Sequence, residues 1–273
     1  MSRIITALIV LPVLIASILV SWLAPLFVAL ALAAMTLGLY EFWLLARRRG
    51  IKADTVIGFV AAAALFTIFY FDRPHENSLF LLLMILPALT IAALAAAMLR
   101  GAPFEGMIAS VGATLLGVMY VAFLGGHLVA VRTGFEQQRS AHLLSFFFLV
   151  IMGSDTGAYY TGRAFGRHKL APKISPGKTW EGAIGGMLAS LVMAAAAHYW
   201  FFAELPLKFA LPLAAVMNVL GVLGDLTESA LKRGAGAKDA AQILPGHGGL
   251  LDRLDSLLFN APVIYYFGRM YFG

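Results

Sequence analysis

The chain is 273 residues long, 61% hydrophobic and only 12% charged, with a mean hydropathy of +0.86. A soluble domain is about half apolar and about a quarter charged, so this chain cannot cover a water-facing surface and needs lipid as its main solvent. The net charge of +6 does not point to nucleic acid, because the basic residues fall between apolar runs, and the lack of cysteine excludes disulfides, thiolate metal sites and cysteine nucleophiles.

A membrane-barrel strand would alternate polar and apolar residues over about ten positions. The apolar runs here are unbroken and about twenty residues long, the length at which a helix crosses a bilayer. They lie at 4–20, 23–45, 55–71, 79–99, 107–131, 143–161, 180–202, 207–227 and 250–271. The expected fold class is all-α: a polytopic integral membrane protein of about nine transmembrane helices. It is read as one integral domain over 1–273, with N-terminal helices over 1–140 and a motif-bearing half over 141–273. Arg3 before an apolar run imitates a secretion signal, but no small-residue cleavage site precedes the second run, so it reads as a retained first span. Only Ser21 and Trp22 separate the first two runs, which predicts a tight hairpin or one broken segment. Pro12, Pro25, Pro87, Pro212 and Pro262 lie in or near spans, where kinks are tolerated if neighbours satisfy the released backbone groups.

Counting Lys and Arg orients the chain. With a cytoplasmic N-terminus, the inner segments hold Arg3, Arg47, Arg48, Arg49, Lys52, Arg100, Arg163, Arg167, Lys169, Lys173, Lys178, Lys232, Arg233, Lys238 and Arg253. The outer segments hold only Arg73, Arg132, Arg139, Lys208 and Arg269. That bias predicts a cytoplasmic N-terminus. The loop at 163–179 and the polar stretch at 229–255 then share the cytoplasmic side.

Polar residues that an apolar chain has no structural need for mark the candidate site. Asp155 sits in or at the end of the sixth run, where a carboxylate must be paired or wet; it is either a site residue or a partner packed against Ser154 or Thr156. In the loop that follows, Lys173, Ser175, Lys178 and Thr179 suit phosphate, although such a loop also serves as an anchor on anionic lipid. Thr179 could in addition cap the next helix. The stretch PKISPGKT imitates a P-loop, but Pro172 replaces its first glycine and no strand precedes it, so that reading is rejected. Glu181, in the next helix's first turn, is expected to make a dipole contact. Asp225, Glu228 and Ser229 share one helix face, which Lys232 continues. They form either a salt-bridged helix end or a set of oxygen ligands for Mg²⁺. Asp252 and Asp255 repeat the acidic spacing just after His247, Gly248 and Gly249, where glycines permit close approach and a helix N-terminus offers N–H groups to anions. His127, His142 and His198 are isolated and read as structural. Two acidic faces with bases between them suit metal-assisted phosphoryl chemistry without a covalent enzyme nucleophile.

The stretch 229–255 resembles the signature of the phosphatidate cytidylyltransferase (CDP-diglyceride synthetase) family. Ser229, Leu231, Lys232, Arg233, Lys238, Asp239, Ala241, Leu244, Pro245, His247, Gly248, Gly249, Leu250, Asp252, Arg253, Leu254 and Asp255 meet it without a departure. The motifs cover residues 153–260; the N-terminal half matches only in hydropathy and length. The resemblance implies a membrane nucleotidyltransferase of class EC 2.7.7.41, in which CTP and phosphatidic acid give CDP-diacylglycerol and pyrophosphate. It implies Mg²⁺ and admits a second, monovalent cation such as K⁺. It implies metal binding by Asp225, Asp252, Asp255 and Glu228. Asp225, Lys232, Arg233, Lys238, Asp239, His247 and Arg253 are the implied catalytic set. Asp155, Arg163, Lys173, Ser175, Lys178, Thr179, Ser229, Gly248 and Gly249 are the implied substrate contacts. The expected partners are the two substrates and membrane lipids, with a homodimer admitted, and the expected place is the cytoplasmic face of the inner membrane. Rival readings are another CTP-using lipid enzyme, such as a polyprenol kinase, and an ion transporter. Clustered bases and the HGG sequence argue against the transporter.

Overall fold

The computed structural model describes residues 2–72, 78–102, 104–237 and 249–273, with only the backbone described at 2–9, 78 and 79. The apolar runs are helices: α1 (Ser2–Leu19), α2 (Ala24–Arg48), α3 (Thr55–Phe71), α4 (Ser78–Leu99), α5 (Met107–Gly117), α6 (Leu124–Thr133), α7 (Gln137–Phe165), α8 (Trp180–Trp200), α9 (Leu207–Gly234) and α10 (Leu251–Phe272). A 3₁₀ turn (Ser21–Leu23) joins α1 to α2, and a π-helical segment (Val118–Phe123) joins α5 to α6. The fold is all-α in the manner of a membrane protein. Six helical stretches among the described residues are long and apolar enough to cross a bilayer, namely Ser21–Arg48, Phe80–Leu99, Met107–Thr133, Gln137–Phe165, Trp180–Trp200 and Leu207–Gly234. Outward faces carry large exposed apolar side chains such as Ile108, Leu99, Trp200 and Met270, a surface that lipid can solvate and water cannot.

Local signals set several boundaries. Asp54 caps α3 by accepting from the Ile57 N–H at 3.1 Å, and Arg100 pairs with the same carboxylate at 3.2 Å. Thr179 caps α8 through the Gly182 N–H. Pro12, Pro87, Pro212 and Pro262 lie inside unbroken helices. The sequence treats 163–179 as a loop, but two short strands form there, β1 (Lys169–Ala171) and β2 (Ser175–Thr179). They pair antiparallel with Lys169 opposite Thr179 and Ala171 opposite Ser175. The correction has a local cause: the segment's backbone groups, lying outside any helix, pair with each other rather than wait for water.

Two interhelical devices position the later site. Helices α7 and α8 pack through small residues; a Cβ on Gly185 would lie 2.5 Å from Thr161 Cβ, so only glycine allows that approach. Helix α2 reaches both site-bearing helices. Arg49, its C-cap, donates from Nε to the Gly234 carbonyl at the end of α9 at 2.6 Å, and its buried Glu41 meets the start of α10. The ends of α2, α7 and α9 and the starts of α8 and α10 therefore gather at one end of the bundle. At the opposite end, Asp72 accepts from the Tyr265 hydroxyl and pairs with Arg269 at 3.4 Å.

Gly185→Ala is expected to destabilise the detergent-solubilised protein by about 1–3 kcal/mol. Gly112→Ala, where an added Cβ meets nothing within 4 Å, is expected to leave thermal unfolding unchanged or slightly raised. Equal melting temperatures for both variants would contradict the close α7–α8 packing.

Candidate functional site

Helix α9 runs beyond its apolar stretch to Gly234, which carries Asp225, Glu228, Ser229 and Lys232 out on a continuous helical face. Helix α10 begins at Leu251, so Asp252 and Asp255 fall in its first turns. The two helices touch closely: a Cβ on Gly224 would sit 2.5 Å from the Asp255 carbonyl oxygen. Across that contact Lys232 Nζ lies 2.7 Å from Glu228 Oε2 and 2.6 Å from Asp252 Oδ1. The other Asp252 oxygen accepts from the Gly249 N–H at 3.0 Å. Glu228 is only 1% exposed, and its Oε1 has no hydrogen-bond partner among the described residues. A buried carboxylate with a vacant oxygen is costly and calls for a donor or a cation.

A second ion pair lies beside the first. Lys178 Nζ, at the end of β2, is 2.5 Å from Asp225 Oδ2, and the Ser229 hydroxyl donates to Asp225 Oδ1 at 3.4 Å. Asp155 on α7 is repelled by Asp225 and attracted by Lys178; Asp255 feels Asp225, Asp155 and Lys178 in the same way. Acids from α7, α9 and α10 thus face one region, with two lysines among them. Asp155 is not tied up by its neighbours: Ser154 accepts from Asn218 at 2.6 Å and Thr156 donates to the Met152 carbonyl.

The hairpin closes one side. Arg233 Nε donates to the Ile174 carbonyl at 3.4 Å, which joins the end of α9 to the turn between the strands. Thr179 is buried and serves as the α8 cap. Ser175 lies at the start of β2, partly buried, and Lys173 is exposed in the turn before it. Arg163 is exposed and donates to the Tyr159 hydroxyl at 3.1 Å. Glu181 does more than the expected dipole contact: its carboxylate takes the His168 N–H at 3.2 Å and the His168 ring at 2.6 Å. Arg253 is exposed beside Asp252. Lys238, Asp239, His247 and Gly248 lie outside the described residues.

Two site-end residues escaped the sequence reading, and both come from the N-terminal half. Glu41, fully buried in α2, accepts from the Leu250 N–H at 2.9 Å and the Leu251 N–H at 2.7 Å. This corrects the expectation that the start of α10 offers open N–H groups to an anion. Glu41 and Asp252 already occupy the amides of Gly249, Leu250 and Leu251. Tyr120, in the π-helical segment, holds a buried hydroxyl without a partner among the described residues and lies within electrostatic reach of Asp255, Glu228 and Asp225. The available signals were a lone acid in the run at 23–45 and a lone tyrosine in the run at 107–131. Neither sits in a motif.

A cavity of about 490 Å³ opens between α2, α5 and α9, lined by Phe42, Leu45, Ala113, Leu116 and Leu231, with Arg49 among its few polar groups. It lies on the face of α9 away from Glu228 and Lys232. Among the described residues no three of His, Cys, Asp and Glu converge closely enough to form a ready metal cage; the two lysines lie between the acids.

The sequence model of the cytidylyltransferase family matches residues 1–271. Among curated relatives, the phosphatidate cytidylyltransferase of Haemophilus influenzae is 46% identical over 129 residues, covering 46% of this chain and 45% of the relative. The phosphatidate cytidylyltransferase of Staphylococcus saprophyticus is 42% identical over 148 residues, or 54% of this chain and 56% of the relative. That of Staphylococcus haemolyticus is 41% identical over 150 residues, or 55% and 56%. The aligned chain spans about half the length of the curated relatives it matches.

Lys232→Met leaves Glu228 and Asp252 facing each other without their shared cation. It is expected to destabilise the protein by about 3–5 kcal/mol. Lys178→Met, whose partner Asp225 is 37% exposed at the side chain, should cost about 1 kcal/mol or less. Denaturant unfolding of the two variants side by side checks the order; a larger loss for Lys178→Met would contradict it.

Proposed function

The chain belongs to the cytidylyltransferase family, and on that footing we propose that it transfers a cytidylyl group from CTP to phosphatidic acid, giving CDP-diacylglycerol and pyrophosphate. One observation carries the reading: acids of α7, α9 and α10 face each other across Lys178 and Lys232 at the bundle end. In the proposed reaction a phosphate oxygen of phosphatidic acid attacks the α-phosphorus of CTP. A new P–O bond forms, the bond from the α-phosphorus to the β-phosphate oxygen breaks, and pyrophosphate leaves with that electron pair. Both reactants bring their own reacting groups, so the protein's work is to position them and balance their charge.

The residues divide that work. Lys178 and Lys232 pair with carboxylates at rest and are suited to turn to triphosphate oxygens when CTP enters. Arg233, tethered to the hairpin turn, together with Arg253 and Lys173, offers charge at the rim for the lipid phosphate. The donor set fits Mg²⁺: it is oxygen-only, rich in carboxylate, and includes the orphaned Glu228 Oε1. Asp225, Asp252, Asp255 and Glu228 would hold the ion, which when bound offsets negative charge on the phosphates. The carboxylates here outnumber the two lysines, so a polyphosphate needs such a counter-charge to approach.

We further infer that this end of the bundle faces the cytoplasm. Support comes from the excess of Lys and Arg in the segments that meet there and from the solubility of CTP. Phosphatidic acid would arrive sideways from the bilayer.

Purified protein in mixed micelles is expected to release pyrophosphate only when CTP, phosphatidic acid and Mg²⁺ are all present. CDP with a newly phosphorylated lipid would establish a kinase instead, and no turnover at all would sink the enzyme reading. Asp252→Asn should lower kcat at least about a hundredfold while the protein still elutes as a folded species. The chain has no cysteine, so Lys173→Cys and Ala235→Cys can be tested singly with an impermeant maleimide in sealed vesicles. Both should label from the cytoplasmic side; labelling from opposite sides would break the shared site.

A further inference from the structure

We propose that Glu41 is a positioning residue for the site, acting from α2 through the first turn of α10 to aim Asp252. The proposal rests on the cytidylyl-transfer reading for its activity measurement, and on geometry alone for the rest.

Glu41 is 0% exposed and uses both oxygens: Oε1 accepts from the Leu250 N–H at 2.9 Å and Oε2 from the Leu251 N–H at 2.7 Å. The helix start has no capping side chain of the ordinary kind, because its N-cap position is Leu250. Gly38, one turn earlier on α2, faces the same stretch of α10: a Cβ there would come into ordinary contact with Leu254 Cδ1 at 3.4 Å and Leu251 Cδ1 at 3.9 Å. A carboxylate of a distant helix therefore does what Ser, Thr or Asp does locally elsewhere.

The consequence falls on Asp252. A helix N-terminus leaves several amides needing acceptors and carries a partial positive charge. Glu41 satisfies two of those amides and offsets that charge. Asp252 then spends only Oδ2, on Gly249, and keeps Oδ1 for Lys232, which in turn holds Glu228. Without Glu41, the amides of Leu250 and Leu251 lose their acceptors in a dry setting, since Leu251 is 0% exposed. Asp252 is the acid already bonded at that helix start, so it would be drawn inward toward those amides and away from Lys232.

The test uses the full chain in phospholipid nanodiscs, with Glu41→Gln and Glu41→Asp compared against Trp43→Phe. Trp43 is a buried neighbour on α2 whose indole donates to the Ala113 carbonyl; its variant is a control for general loss of packing. Glu41→Gln is expected to speed amide exchange at Leu250 and Leu251 at least about tenfold. It should lower kcat about 10–100-fold, the range for removing an orienting partner, with KM for CTP within about threefold. Glu41→Asp keeps the charge on a shorter arm and should recover part of kcat; it also serves where Glu41→Gln does not fold. Trp43→Phe should lose melting temperature without the kcat loss. Unchanged exchange at Leu250 and Leu251 overturns the cap. Unchanged kcat, or a kcat loss matched by Trp43→Phe at equal melting temperature, overturns the positioning role. If the unaltered chain makes no CDP-diacylglycerol, the functional reading fails by itself, and the exchange measurement still decides the cap.

Discussion

One ammonium group between two carboxylates holds the working end of this protein together. Lys232 meets Glu228 on its own helix and Asp252 on the next. Taking such charges out of water costs several kcal/mol each, and only close geometry with further hydrogen bonds offsets it. The surrounding structure supplies those conditions. Gly224 lets α9 and α10 approach, the Gly249 N–H takes the spare Asp252 oxygen, and Glu41 steadies the helix on which Asp252 rides. Arg49 ties the end of α9 to α2. Helix α2, far away in sequence, is thereby tied to both α9 and α10, which close around one cation.

The same arrangement suits a site that must exchange partners. Each lysine rests on an acid in a close, charge-assisted contact. On the proposed function, a polyanion bringing its own counter-cation would offer both groups an alternative: phosphate oxygens for the lysines and the cation for the acids. Neither side need be left bare in a low-dielectric setting, where an uncompensated charge is most expensive. Near the acids, Glu228 Oε1 and the buried Tyr120 hydroxyl are two atoms left without a hydrogen-bond partner among the described residues.

Around this polar end the molecule is built for lipid. Tight contacts such as Gly185 against Thr161 pack α7 on α8, and the Asn218–Ser154 hydrogen bond ties α7 to α9, whose Asp225 shares a region with Asp155. The apolar cavity beside α9 faces away from the ion pairs, so charge and hydrocarbon occupy opposite faces of one helix. That separation would suit the proposed reaction between a water-soluble nucleotide and a membrane lipid.

The sequence by itself determined the all-α membrane fold, because unbroken apolar runs admit few other ways to satisfy the backbone in lipid. It also singled out Asp225, Glu228, Lys232, Asp252 and Asp255, because charge is conspicuous in an apolar chain and helical spacing puts each group on one face. The short hairpin at 169–179 was not legible, since its three-residue first strand lacks any alternation to read. Only the tertiary structure decided which charge meets which: Lys178 with Asp225, Lys232 with both Glu228 and Asp252, Glu41 with the start of α10. Glu41 stands more than 200 positions from its partners. Periodicity reports the face on which a residue lies, and carries no information about the distant helix that comes to rest against it.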